Sequence, residues 1–414
     1  MHQNKFLETT PTHKNIIIVG GGAAGFFTAI NCAISCPNAS ILILERGKDV
    51  LTKVRISGGG RCNVTHAEFV PKELSKKYPR GEKELLGPFH TFMTGDTIAW
   101  FEERGVDLKI EEDGRMFPVS NSSATIIDCF LKEANHHGIE ICTNHSVQKI
   151  KKQGVGWFLE TSKNNFTCDS LVIATGSNPK VWKLLEHLDH TITPAVPSLF
   201  TFNSKDTRIK DLMGLSKEAS VEIVGTKLQS EGPLLITHWG LSGPGILKLS
   251  AWGARELAAM NYHFTIKVNW LLYDTSQDVL EKLLVFKQKY AKQSPYTYAQ
   301  FDIPKRLWQS LLTASGITEV TKWADLTKNQ LLSLSNELTE GLFEIKGKST
   351  FKEEFVTAGG VDLKEIHFKT FESKIHQHLY LAGEVLNIDA ITGGFNFQNA
   401  WTGGYMIAQA IASK

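Results

Sequence analysis

Ile16-Ile17-Ile18-Val19-Gly20-Gly21-Gly22-Ala23-Ala24-Gly25 opens the segment that decides the fold. Four apolar β-formers run straight into a glycine turn, and a helical pattern follows from Ala23 to about Ser35. A second apolar run, Ile41-Leu42-Ile43-Leu44, ends on Glu45. Strand, glycine turn, helix, strand and acid in this order are the fingerprint of a dinucleotide-binding βαβ unit. Gly20 makes the tight turn off the strand. Gly22, without a Cβ, admits a pyrophosphate to the backbone, and Gly25 lets the helix pack closely on the strand. N–H groups at the helix start, from Ala23, face the phosphates, where the helix dipole also favours negative charge. Glu45 lies 20 residues beyond Gly25, where the second strand brings a carboxylate to a ribose hydroxyl. An acid there favours the unphosphorylated ribose of FAD or NAD over NADP, with adjacent Arg46 pulling the other way.

Next in the chain is Lys53-Val54-Arg55-Ile56-Ser57-Gly58-Gly59-Gly60-Arg61-Cys62-Asn63. Three consecutive glycines are costly inside a helix or strand. They suit a loop pressed against a flat or anionic ligand, its N–H groups turned inward. The alternative is a flexible surface loop, against which the bracketing arginines and Asn63 argue.

Composition narrows the class. The chain has 414 residues, enough for two or three domains. Its 45 Lys plus Arg against 43 Asp plus Glu leave a net charge of +2, without the basic excess of a nucleic-acid binder. Six scattered cysteines fit neither a zinc site nor a disulfide framework, which implies a reducing cytoplasm. Residues 1–14 lack the apolar core of a signal peptide, and the apolar runs are too short to span a membrane. No metal site is expected.

Downstream, Asp96 to Phe101 opens an amphipathic helix ending near Gly105, and Asp113 to Ser120 reads as a turn and a short extended segment. Arg115 and Phe117 in that segment either line a ligand cavity or form a salt bridge and a core aromatic. Spacing predicts a helix from Ser123 to His137 closed by Gly138, then a hairpin or meander (Ser146–Lys152, Gly156–Thr161), then the buried strand leading into Ala174-Thr175-Gly176. Pro194 and Pro197 mark a boundary. Beyond it strands are expected at Ser198–Phe202, Ala219–Val224 and Phe264–Val268, with a helix from Ile246 to Met260 capped by Ser242 or Gly243. His238 falls in a Gly/Ser-rich loop at that helix's mouth and is either structural or a substrate-facing acid/base group. Helices Gln277–Ala291, capped by Ser276, Ile303–Ala314 and Leu326–Leu338 form an all-α piece. The chain then returns with a strand from Glu354 to Val361, a strand ending in Gly383-Glu384, and Gly393-Gly394-Phe395-Asn396 opening the last helix. An acid after a strand-ending glycine suits the ribityl hydroxyls of a flavin. The last helix start would put N–H groups at the flavin pyrimidine edge, where reduction builds negative charge.

Taken together, the 17–25 fingerprint, Ile56 to Asn63, Gly114 to Pro118, Thr237 to Pro244 and Leu381 to Asn399 resemble a bacterial family of NAD(P)/FAD-dependent oxidoreductases. These flavoproteins are aminoacetone-oxidase-like and include bile-acid dehydro-reductase-like members. The resemblance runs from Asn15 to about Ala408. It implies an α/β fold: a glutathione-reductase-like Rossmann FAD domain, discontinuous, with an inserted β-rich domain and a small helical subdomain. The expected boundaries are 1–192 and 353–414 for the FAD domain, 193–272 for the β-rich domain with a return strand at 341–352, and 273–340 for the helices. The resemblance carries FAD contacts onto Gly20, Gly22, Ala23, Gly25, Glu45 and Arg46, onto Lys53, Gly60, Arg61 and Asn63 in the glycine loop, and onto Val147, Glu384 and Asn396. Ser177 replaces a second glycine found in many relatives after Ala174-Thr175-Gly176.

The functional expectation is an FAD-dependent oxidoreductase passing hydride from NAD(P)H through the flavin to a small organic substrate. With a single glycine fingerprint, the nicotinamide is expected as a transient electron donor. The alternatives are an oxygen-dependent amine or alcohol oxidase, a tRNA-modifying flavoprotein, and a non-catalytic FAD-binding protein. His238 and Arg115 are the candidates for catalysis. Glu45→Ala is expected to weaken FAD retention and leave the fold intact.

Overall fold

The computed structural model describes residues 14–350 and 356–414; the readings of residues 1–13 and of Glu354 and Phe355 lie outside the described residues. In chain order, the elements that build the site are β1 (Asn15–Val19), α1 (Ala23–Ser35), β2 (Ser40–Leu44), α2 (Thr52–Gly60), β3 (Thr65–His66), β4 (Arg115–Pro118), β5 (Ser170–Ile173), β6 (Leu379–Leu381) and α3 (Phe395–Ala412).

β1 and β5 are buried along nearly their whole length, as expected of central parallel strands covered on both faces. β1 pairs in parallel with β2 on one side (Ile16 opposite Ile41) and with β5 on the other (Ile16 opposite Ser170). β6, more than 200 residues later in the chain, adds in parallel beside β5. The sheet is completed by Glu140–Cys142 beside β2 and by two short antiparallel strands, Ile366–His367 and Glu372–Ser373, beyond β6. This is the expected Rossmann sheet, built from both ends of the chain. The expected meander is present as Val147–Gln153, Gly156–Thr161 and Asn165–Cys168. α1 packs on α3, and around them Phe26, Phe27, Trp100, Phe101, Phe130 and Trp401 form a connected aromatic core.

The chain divides into two compact units, residues 1–195 with 357–414 and residues 196–356. The second unit is an antiparallel seven-stranded sheet: Gly341–Lys346, His263–Asn269, Ser216–Ile223, Gln229–Ile236, Gly240–Ser242, Thr201–Asn203 and Lys348–Ser349, in that spatial order. Helices Ser276–Lys289, Lys305–Ala314 and Lys328–Thr339 share one core with it, in which Val221, Ile266 and Phe343 join Leu283, Trp308 and Leu334.

Several local expectations are corrected. Thr275, not Ser276, caps its helix, because Thr275 and Asp278 form a reciprocal capping box. The helix expected from Ile246 to Met260 is two, Pro244–Trp252 and Ala254–Ala259, interrupted at Gly253. The strand expected at Ser198–Phe202 is broken at Leu199, whose φ of 56° takes the chain out of the extended region. Among the described residues no helix is long and apolar enough to cross a membrane.

Candidate flavin site

The turn after β1 is sterically specified. Gly20 has φ 114°, and a Cβ there would stand 2.4 Å from the Ala174 carbonyl oxygen. A Cβ on Gly25 would stand 1.9 Å from the Gly20 carbonyl oxygen, so α1 can lie this close to the turn only with glycine. Gly22 differs. It is the N-cap of α1, has no side-chain cap, and a Cβ on it would meet no protein atom within 4 Å. No side chain covers this helix start, whose first-turn N–H groups are the donors a pyrophosphate needs.

Glu45, immediately after β2, accepts the Gly21 N–H at Oε2 (2.8 Å) and the Gly47 N–H at Oε1 (2.7 Å). Each oxygen keeps acceptor capacity for a ribose hydroxyl. The carboxylate also ties the glycine turn to the end of β2, so Glu45→Ala disturbs the turn itself. Arg46 is exposed. Val147 is buried two residues beyond His145, whose N–H donates to the Glu45 carbonyl at 2.8 Å.

The glycine loop departs from the helix in which it is embedded. In α2, Ser57 is extended (φ −62°, ψ 148°) and Gly58 and Gly59 are left-handed (φ 58° and 68°). Gly60 continues at φ 83° and Cys62 at 62°. Cβ atoms on Gly59 and Gly60 would touch nothing within 4 Å, whereas one on Gly58 would press on Phe117 at 2.9 Å. One side of the loop thus packs on β4 and the other faces open space. Cys62 is fully buried, and desolvation pushes its thiol up to about 12, only partly opposed by a hydrogen bond with Ser57. It is a thiol, not a thiolate, at neutral pH.

The two chain ends meet here. Lys53 Nζ pairs with Glu384 Oε2 at 2.5 Å across 331 residues. The Asn63 amide oxygen accepts the Gly394 N–H at 3.0 Å, while its nitrogen donates to the carbonyls of Thr65 (3.0 Å) and Met116 (3.2 Å). Gly394 is the left-handed N-cap of α3, which has no side-chain cap. Asn396 turns back onto its own loop, its Oδ1 accepting the Ala390 N–H at 3.0 Å. Arg61 lies over the Phe117 ring at 3.8 Å and binds Glu111 Oε1 at 2.6 Å. Arg115 is held by Asp113 (2.6 Å) and Glu111 (3.3 Å), and Phe117 is fully buried. Of the two alternatives for Arg115 and Phe117, salt bridge and core aromatic are what the fold contains.

His238 belongs to the other unit. It is exposed in the turn between Gln229–Ile236 and Gly240–Ser242, so a short strand separates it from the helix whose mouth it was expected to line.

Sequence reasoning passed over His66. It lies on β3, its ring stacks on Phe395 with centroids 4.5 Å apart, and its Nδ1 is 3.1 Å from the Gly393 carbonyl. Burial pulls its pKa below the ordinary histidine value; Lys77 adds to this, while the Gly393 bond, Asp113 and Glu68 oppose it. The neutral ring with its proton on Nδ1 donates to Gly393. Its partner is 327 residues away, so no local signal points to it.

The sequence matches the HI0933-like protein Rossmann domain over residues 14–410. The chain belongs to the HI0933-like family. It is an FAD-dependent oxidoreductase, and the uncapped helix starts, the open glycine faces and the placed acids of this family member fit FAD. Among similar proteins, the 3-dehydro-bile acid delta(4,6)-reductase of Clostridium scindens is 27% identical over 97% of this chain and 100% of its own. The ribosomal RNA dihydrouridine synthase of Haemophilus influenzae is 28% identical over 96% of this chain and 98% of its own. A 3-ketosteroid-delta4-(5alpha)-dehydrogenase from Rhodococcus jostii RHA1 shares the fold, with TM-score 0.50 at 10% identity and 99% coverage of both chains.

Proposed function

We propose that this chain reduces a carbon–carbon double bond conjugated to a carbonyl in a small organic substrate, with NAD(P)H as electron donor and FAD as carrier. One observation carries the reading. Two relatives that align along almost the whole chain at 27% and 28% identity are named for different substrates but the same type of change. A delta(4,6)-reductase of a 3-dehydro bile acid saturates a bond in conjugation with a ketone. Making dihydrouridine saturates the uracil bond in conjugation with a ring carbonyl. In each, a hydride and a proton add across a carbon–carbon double bond whose electrons are drawn toward a carbonyl.

Bound FAD supplies a two-electron carrier that takes hydride from a nicotinamide and gives it to an acceptor carbon. The chain's part is to hold and polarise. Gly22 and the start of α1 receive the pyrophosphate, and Glu45 receives an adenosine ribose hydroxyl through its spare lone pairs. Lys53 fixes Glu384, whose Oε1 is left for a ribityl hydroxyl. The start of α3 turns N–H groups toward the edge where reduction places negative charge. The second unit is built on an antiparallel sheet, so a nicotinamide visits the flavin rather than residing in a Rossmann unit there. Arg115 is committed to two carboxylates, Glu111 and Asp113, and so is read as a structural rather than a proton-donating group.

A second reading is favoured by the dihydrouridine synthase relatives: the acceptor is a uridine of ribosomal RNA. One anaerobic experiment separates the readings. The protein is reduced with NADH or NADPH while flavin absorbance is followed, then offered a 3-oxo-Δ4 steroid or an unmodified ribosomal RNA transcript. Reoxidation by the enone supports the first reading, and reoxidation by RNA alone supports the second. Bleaching by amines or alcohols, with none by either nucleotide, overturns both in favour of an oxidase.

A further inference from the structure

Gly393 and Gly394 form the elbow that turns the chain into α3, at φ 133° and 94°. They have no side chains with which to anchor themselves, so the direction of the elbow is set by what grips its backbone. Asn63 holds the Gly394 N–H, and Tyr78 donates its hydroxyl to the Phe395 carbonyl at 2.6 Å. The Gly393 carbonyl is gripped by His66 Nδ1, and the same imidazole lies against the Phe395 ring. His66 is itself fixed: its carbonyl accepts from Thr94 Oγ1 at 3.0 Å, and Gly114 sits so close that a Cβ there would approach its Nε2 to 2.6 Å. One side chain thus holds both the residue before the N-cap and the first residue of the helix. That helix start has no side-chain cap, so its first-turn N–H groups are free for a ligand.

We propose that His66 is a positioning residue for the flavin: by holding the Gly393 carbonyl and the Phe395 ring it aims the first-turn N–H groups of α3, and so governs how strongly they stabilise the reduced cofactor. The inference rests on reading the α3 start as the place that receives the flavin pyrimidine edge. Hydrogen bonds to that edge strengthen as electrons arrive, because the acceptor atoms gain negative charge. A clamp that aims the donors therefore acts more on the reduced form than on the oxidised one. A residue that merely supported the fold would change both forms alike.

The test uses the full chain and measures FAD dissociation constant and flavin midpoint potential. His66→Phe keeps a ring against Phe395 and removes the donor; His66→Asn returns a donor near the position of Nδ1. His66→Phe is expected to bind reduced FAD about fivefold more weakly relative to oxidised FAD, the equivalent of one hydrogen bond. Its midpoint potential moves to a more negative value, and His66→Asn recovers part of the shift. An unchanged potential in His66→Phe overturns the proposal, even if overall FAD affinity falls. Should His66→Phe not fold, His66→Gln, whose donor is displaced, must show the negative shift, and an unchanged potential there is equally fatal. A wild-type protein that binds no FAD would instead overturn the site reading beneath it.

Discussion

Gly22→Ala separates the fold from the ligand with one methyl group. The residue sits at φ −98°, ψ −166°, extended backbone that alanine adopts without strain, and its Cβ would meet no protein atom within 4 Å. The cost to the apoprotein is that of a poorer N-cap, about 1 kcal/mol or less. In a chain of this size that lowers the melting temperature by about 2 °C. The methyl does, however, occupy the space through which a pyrophosphate reaches the N–H groups of α1. Losing one charge-assisted hydrogen bond there costs about 1.5–3 kcal/mol, or roughly 10- to 150-fold in FAD affinity. The assay is titration of the apoprotein with FAD, followed by quenching of flavin fluorescence, beside thermal unfolding of the same apo samples. Gly25→Ala is the contrast, because its methyl would stand 1.9 Å from a backbone oxygen that cannot swing aside, so apoprotein stability and binding fall together. Gly22→Ala with an FAD affinity within twofold of wild type would refute the assignment of this space to the pyrophosphate.

Three further outcomes follow from the same structure. Glu45→Ala orphans the N–H groups of Gly21 and Gly47 and should cost the apoprotein about 1–3 kcal/mol in urea unfolding as well as weakening FAD retention; retention lost at full apoprotein stability would show that the turn does not depend on it. Asp389 is fully buried in an ion pair with Arg80 that joins the segment before α3 to the first half of the chain, so Asp389→Ala should destabilise by about 3–5 kcal/mol, and a loss under 1 kcal/mol in the same unfolding assay would contradict this. His190, with its side chain fully buried, is pulled below the ordinary histidine value chiefly by burial, with Glu365 opposing, His376 adding to the lowering and Asp189 opposing it. The unfolded chain therefore takes up the proton first: this contribution is whole above about pH 6.5 and is lost as pH falls from there through the folded-state value. Urea midpoints of wild type and His190→Gln between pH 8 and pH 5 check the sign, since the variant should lose less on acidification.

The parts of the site that were legible in the sequence are those whose logic is local. Gly20 to Glu45 is one βαβ unit whose two strands, glycine turn and acid lie within some 25 residues, and its periodicity, turn glycines and terminal acid agree with one another. The break in regular structure at Gly58 to Gly60 was legible for the same reason, since three glycines in a row are costly inside a helix or strand, though their left-handed backbone was not. What stayed hidden depends on contacts across the chain. Lys53 and Glu384, Asn63 and Gly394, and His66 and Gly393 are each separated by more than 300 residues, and no spacing rule connects them. Leu199 and Cys62 show a second limit: both are left-handed without being glycine or asparagine, so tertiary packing overrides the local preference. The capping of Ser276–Lys289 was missed by one residue, although the Thr275–Asp278 pair is a pattern that local reading can find.

The electrostatic state of the residues gathered here bears on which chemistry the chain can support. Arg61, Arg115 and Lys53 are each paired with a carboxylate, Cys62 keeps its proton, and the His66 Nδ1 proton is committed to a backbone carbonyl. Around the glycine loop and the α3 start, these residues thus contribute fixed dipoles and ion pairs, and the one imidazole proton there is held by a backbone carbonyl. Oxidation of an alcohol needs a base at the moment the donor carbon loses hydride, because the hydroxyl proton must leave as well. Conjugate reduction makes the opposite demand. Hydride addition leaves an enolate, an anion whose charge is already shared with the carbonyl oxygen and which water can protonate afterwards. Donors placed to stabilise negative charge, with proton transfer deferred to solvent, would suit conjugate reduction better than alcohol oxidation, which supports the proposed double-bond reduction.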